Sequence, residues 1–222
     1  MALLKPKVID GFGGIERTLA RGDLLAGGQV VNALDTTATN LTITGAMLAV
    51  GLIRRNPGGV CNENIDTATN IINALSQGVG TVGVENGTSF VVYWINASAN
   101  ALTLVAAANT GLTLTDATVL ANGVKPVLFV VTNGTPAKTV TAVSSAGSNT
   151  ILAGFTDAEI AALSPGMIVL NAVVNLQGQT IIGVNRSNNT VTMSASANAA
   201  TVVSVQFSPK IDIYGLGCTA AR

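Results

Sequence analysis

The sequence predicts an all-β protein, with a β-sandwich or barrel-like main domain carrying one short helix, plus a second, smaller β domain. Three observations predict it. Phe90, Val92 and Trp94 alternate with Val91, Tyr93 and Ile95, and Leu102/Leu104 and Leu112/Leu114 alternate with threonines. That period of two belongs to strands. Val127 to Val131 is a continuous apolar run of strand length, which reads as a strand buried on both faces. The dipeptides Asn86-Gly87 and Asn133-Gly134 supply turns between such strands.

Taken in order, residues 1–40 read as an extended arm. Glycines at 13, 14, 22, 27 and 28 interrupt every apolar run there. The piece Ile15 to Gly28 has room for one short helical turn at most. Such an arm lies along its own domain or along a neighbouring subunit. Leu41 and Ile43 alternate with Thr42 and Thr44 as a half-buried strand, Gly45 breaks it, and Met47 to Ile53 resumes it. Arg54 and Arg55, the one adjacent basic pair, begin the turn R-R-N-P-G-G. They read either as a solvated turn or as a contact to an acidic partner surface.

From Asp66 the period becomes helical. Asp66 or Thr67 caps the start, Ile71 and Leu75 share a face, and the helix stops near Gly78. The alternating strands follow. Trp94 reads as core, with its N–H reaching a carbonyl. Parallel and antiparallel pairings both suit strands this short, the turn signals favour antiparallel, and strand order stays open. At Ser144 to Asn149 the texture changes to small polar residues, suited to a domain boundary. Beyond it, Thr156-Asp157 caps a short helix holding Ile160 and Leu163, and Ser164 to Met167 turns into a strand at Ile168. Further strands run Gln179–Val184, Thr190–Met193 and Val202–Phe207.

Composition bounds the function. Of 222 residues only 10% are charged while 48% are hydrophobic, and the mean hydropathy is +0.52. An ordinary soluble domain has roughly 25% charged residues. No apolar run approaches the ~20 residues of a membrane helix, so no membrane partner is expected. Much of the surface must then be neutral or covered by other subunits. Net charge is zero and the cations are scattered, so no nucleic-acid partner is expected either. The start, MALLKPKVID, is broken by Pro6 and Asp10 and does not read as a signal peptide. Cytoplasmic synthesis is the expectation. Cys61 and Cys218 read as two thiols, with a bridge between them left open.

Catalytic patterns are missing. There is no histidine, which removes Ser–His–Asp and Cys–His pairs and the commonest metal ligand. No phosphate-cradling glycine motif occurs. Asp157 and Glu159, two apart on a helix, face different ways and do not form a carboxylate pair. The sequence therefore predicts no enzyme and no cofactor.

Two segments carry resemblances. The run of a DTA helix start, an aromatic strand ending in I-N, L-T-L, G-x-T-L-T and a strand ending V-T-N resembles a module of phage capsid decoration or cement proteins. Residues 149 to 207, with L-S-P-G-M-x-V and V-T-M-S, resemble a small β module of phage structural and bacterial surface proteins. The segment Ile211 to Gly217 resembles the closing strand of the first module. The resemblance thus implies an arm (1–40), a main domain (41–143 plus 208–222) and an inserted domain (144–207).

It also implies a virion protein on the capsid surface, made in the host cytoplasm. Its partners would be the major capsid protein and copies of itself, as a trimer on local three-fold positions. The candidate contacts are Phe12, Ile15, Leu19, Leu24 and Leu25 of the arm, with Arg54 and Arg55. The alternative is a tail-associated or cell-surface adhesin, against which one Trp and two Tyr in the whole chain argue.

Overall fold

Consecutive strands between Leu41 and Asn133 do not pair with each other; they alternate between two sheets. This is seen in a computed structural model that describes residues 40–76, 84–145, 150–171, 175–197 and 202–220, together with 7–8 and 17–18. In the arm, β1 (Lys7–Val8) pairs antiparallel with β2 (Arg17–Thr18), so the described part of the supposed helical turn is strand. Next come β3 (Leu41–Ile43), α1 (Gly45–Val50), β4 (Leu52–Arg55), β5 (Cys61–Ile65) and α2 (Ala68–Leu75). The chain continues through β6 (Ser89–Asn96), β7 (Leu102–Ala106), β8 (Leu112–Thr115), β9 (Thr118–Val119) and β10 (Gly123–Asn133).

Strands β3, β5, β7 and β9 form one sheet in that order; β4, β6, β10 and β8 go to the other. Where each connection arches across to the facing sheet, strands two apart in sequence can run the same way: β3/β5, β5/β7 and β4/β6 are parallel, while β7/β9 is antiparallel. The turn signals favoured antiparallel pairing, and these three pairs are parallel instead. The two Asn-Gly dipeptides close no hairpin: Asn86-Gly87 leads from α2 to β6, Asn133-Gly134 leads out of β10 towards the next core, and the two meet each other. The Gly134 N–H donates to Asn86 Oδ1 at 2.9 Å, and the Val84 N–H donates to the Gly134 carbonyl at 3.0 Å.

The two sheets face each other over one core. Ile53, Phe90, Val92, Trp94, Val127 and Phe129 come from one side, and Ile43, Ile65, Leu102 and Leu104 from the other. Phe90 stacks on Phe129 at 4.9 Å between centroids. Leu48, Ile71 and Ile72 of the helices complete the core. Val127, Phe129 and Val131 are buried while Leu128 and Val130 are half-exposed, so β10 is buried on one face only. Trp94 is core as expected, but its Nε1–H finds no acceptor among the described residues.

Helix α1 replaces the strand expected from Met47. Thr44 Oγ1 accepts from the Met47 N–H at 3.3 Å, and Gly51 ends the helix in the left-handed region at φ +86°. Thr67 caps α2 in the same way, accepting from the Asn70 N–H at 3.2 Å.

Then come β11 (Lys138–Ser145), β12 (Ile151–Ala153), α3 (Asp157–Ala161), β13 (Ile168–Val169), β14 (Ile181–Asn185), β15 (Thr190–Met193) and β16 (Val202–Ser208). They form an antiparallel sheet in the order β13-β16-β11-β12-β15-β14. It surrounds a second core containing Val140, Leu152, Phe155, Ile160, Met193 and Phe207. Strand β11 belongs wholly to this sheet. The change of core therefore falls between Asn133 and Lys138, ahead of the boundary placed at Ser144. The chain then returns with β17 (Lys210–Gly215), which lies between β10 and β8 in the first structure's larger sheet. It pairs antiparallel with β10 and parallel with β8, and β18 (Thr219–Ala220) adds to β10. Among the described residues the fold is all-β with three short helices.

Candidate interaction surface

The two sheets of the first core have unlike outer faces, and the difference follows from the strand period. In β5, β7 and β9, residues out of phase with the core are Asn62, Asn64, Thr103, Val105 and Thr118, a mostly polar face on which Asn62 and Thr118 are exposed. In β6, β10 and β17 the same positions hold Val91, Tyr93, Ile95, Leu128, Val130 and Tyr214, with Ser89, Thr132 and the Lys210–Asp212 ion pair at one end. Register places Val91 beside Leu128 and Leu128 beside Tyr214, so the residues are contiguous across three strands. Tyr93 is 50% exposed and Tyr214 42%, and the aliphatic residues between them are half-exposed. The patch spans β6, β10 and part of β17, while β8 beyond it turns Thr113 and Thr115 outward; an apolar patch continuous over several strands is the surface feature that marks an interface.

Of the sequence-predicted contacts, Phe12, Ile15, Leu19, Leu24 and Leu25 lie outside the described residues. Arg54 and Arg55 are adjacent but part company, because neighbours on a strand point to opposite faces. Arg54 stands on the apolar outer face, level with Ile95, and makes no ion pair among the described residues. Arg55 points inward, is fully buried, and donates from Nε to Glu63 Oε1 at 2.8 Å. Its partner stands on the facing sheet. Arg55 is therefore a cross-sheet tie in the core, and neither the solvated turn nor the partner contact describes it. The signal was present: Arg55 is in phase with Ile53, and Glu63 with Cys61 and Ile65.

A second buried cation, Lys125, reaches Asp116 Oδ2 at 2.8 Å. It does so past Gly215, where a Cβ would stand 2.4 Å from Lys125 Cε and 2.0 Å from the Asp116 carbonyl. Only glycine leaves that passage open.

The junction between the cores is polar. Asn133, fully buried, donates from Nδ2 to Ser164 Oγ and to the Pro165 carbonyl, both at 2.8 Å. Thr69 and Ser208 share a hydroxyl contact at 3.3 Å, and Gln177 donates to Asn109. The sequence marked Asn133 only as half of a turn dipeptide and Ser164-Pro165 only as a turn before a strand, and nothing in it joined the two.

Cys61 and Cys218 are thiols. Among the described residues no group of three His, Cys, Asp or Glu converges as a metal site, and no helix is long and apolar enough to cross a membrane. Comparison with family models, with curated proteins and with solved structures finds no match for this chain.

Proposed function

We propose that the protein is a structural subunit that decorates and stabilises an icosahedral phage capsid by bridging capsomers. The observation that carries this reading is the apolar outer face of the β4-β6-β10-β17-β8 sheet, in a chain where only 10% of residues are charged. Such a subunit gains by burying neutral surface in an assembly. Bound to a shell, it adds interface area that must be broken before the shell expands or leaks, and so stabilises the lattice by mass action. In this reading the major capsid protein is the partner and the arm, through Phe12, Ile15, Leu19, Leu24 and Leu25, grips the shell or a neighbouring copy. The second core faces outward. The trimer on three-fold positions comes from the resemblance.

The adhesin reading has one observation in its favour. Tyr93 and Tyr214 flank β10 on the same open face, and exposed tyrosines suit receptor recognition. Mixing the purified protein with undecorated capsids and pelleting them separates the readings. Co-sedimentation saturating at a copy number compatible with icosahedral symmetry supports decoration. A protein that stays in the supernatant but binds host cells overturns it in favour of the adhesin.

A further inference from the structure

We infer that the apolar outer face of the larger sheet is a self-association surface, on which a second copy of this chain packs sheet to sheet about a two-fold axis. The inference rests on reading the face as an assembly surface, but not on which assembly the protein joins. The contrast between the two outer faces comes first. Both sheets belong to one sandwich and see the same solvent, yet one turns Asn62, Thr103 and Thr118 outward and the other Val91, Leu128 and Tyr214. Solvent exposure alone would favour the polar choice on both sides.

Composition then selects the occupant. Interfaces between different proteins that come and go are about as polar as the rest of the surface, whereas homodimer interfaces are more apolar. The centre of this face, from Val91 through Leu128 to Tyr214, holds no charged side chain; Arg54 stands at one end, and at the other Asp212, beside Val130, is neutralised by Lys210 at 3.2 Å. A neutral face meets no repulsion from its own copy, and the same patch on both partners is what two-fold symmetry requires.

Size is sufficient. With strands ~4.8 Å apart and same-face residues ~6.8 Å apart, a sheet of this extent offers a footprint of roughly 500 Å². A pair therefore buries about 1,000 Å² before side-chain relief is counted, which reaches the range of specific interfaces. The packing would repeat what the interior already does, with two sheets ~10 Å apart and their side chains interdigitated. This contact is separate from any three-fold association; a trimer joined through it becomes a hexamer.

Light scattering on the purified full chain, with no capsid present, tests the inference. The expected mass is an even multiple of the 22.3 kDa chain. Leu128→Lys, which places an ammonium at the centre of the face, should at least halve that mass while the circular dichroism stays native. Thr103→Lys on the polar face should change neither. Tyrosine iodination of the wild type gives a second readout that needs no variant. Modification of Tyr93 and Tyr214 should fall several-fold as concentration rises through about 0.1–100 μM, a range spanning a Kd near 1 μM. A single-chain or odd-multiple mass overturns the inference, as does an even mass that Leu128→Lys leaves intact, or tyrosine reactivity independent of concentration. Capsid pelleting is a separate result, so loss of pairing and loss of shell binding are read independently.

Discussion

At the scale of single residues, Arg55 and Glu63 carry the largest local free energies. A guanidinium and a carboxylate taken out of water each lose hydration worth several kcal/mol, and their contact at 2.8 Å across the sandwich offsets that loss. Removing one partner takes the opposite charge away from a group that stays fully buried. Arg55→Met should therefore destabilise the protein by about 3–5 kcal/mol, while the double variant R55M/E63L should recover most of the loss. Urea unfolding of the two variants measures this, and equal destabilisation by both would contradict it. The pair also shows why residue roles were hard to read. Arg54 and Arg55 look alike beside a Pro-Gly turn, and only the phase of the strand separates an outward charge from an inward one. Phase was legible for Phe90, Val92 and Trp94 because apolar residues mark it. It was hidden in C-N-E-N-I, where Glu63 occupies a core position and no propensity favours a strand.

At the scale of elements, capping decided what periodicity could not. Helix α2 was legible because Thr67 stands before Ile71, Ile72 and Leu75 in helical phase. Helix α1 has six residues, too few to show a period against the surrounding strand pattern, and its cap Thr44 reads equally well as a strand threonine. Helix α3 is held by a reciprocal capping box: Thr156 Oγ1 accepts from the Glu159 N–H at 3.3 Å, and Glu159 Oε2 accepts from the Thr156 N–H at 2.9 Å. The Thr156 backbone and side-chain hydrogen bonds hold the Glu159 carboxyl below its ordinary value of 4.5. A depressed carboxyl pKa stabilises the fold above the unfolded value, and that contribution is lost as pH falls through the folded value. Stability of the second core should therefore decline below about pH 4.5 in part through this one group. Glu159→Gln should flatten that part of the pH profile, read as melting temperature against pH. A profile unchanged by the substitution would remove the box from the account.

At the scale of the molecule, the two cores meet, among the described residues, through short crossings and polar contacts that include Asn133 with Ser164, Thr69 with Ser208 and Gln177 with Asn109. Leu152 is buried in the second core, and Leu152→Ala should cost about 2–5 kcal/mol there. Amide exchange should quicken across β11, β15 and β16 and stay slow in β6 and β10, since cooperative opening follows contiguous cores. Uniform acceleration would mean that the cores open as one. The existence of two β units was legible from the change of texture near Ser144. The true handover near Lys138 was not, because K-T-V-T-A-V is an ordinary alternating strand that suits either sheet. Strand order was illegible for a similar reason: a turn signal says that the chain reverses but not whether it returns to the same sheet or arches to the facing one.

The position of β17 has a consequence for how the protein comes into being. This strand sits between β10 and β8, yet it follows every residue of the second core in the chain. The second core, from Lys138 to Ser208, needs no residue of β17 to close, whereas β10, until β17 docks, shows its surroundings a bare row of N–H and C=O groups along Val127 to Asn133. The first core closes last, when Ile211 and Ile213 arrive to seal it, and until then its apolar strands wait open to pairing with nascent neighbours.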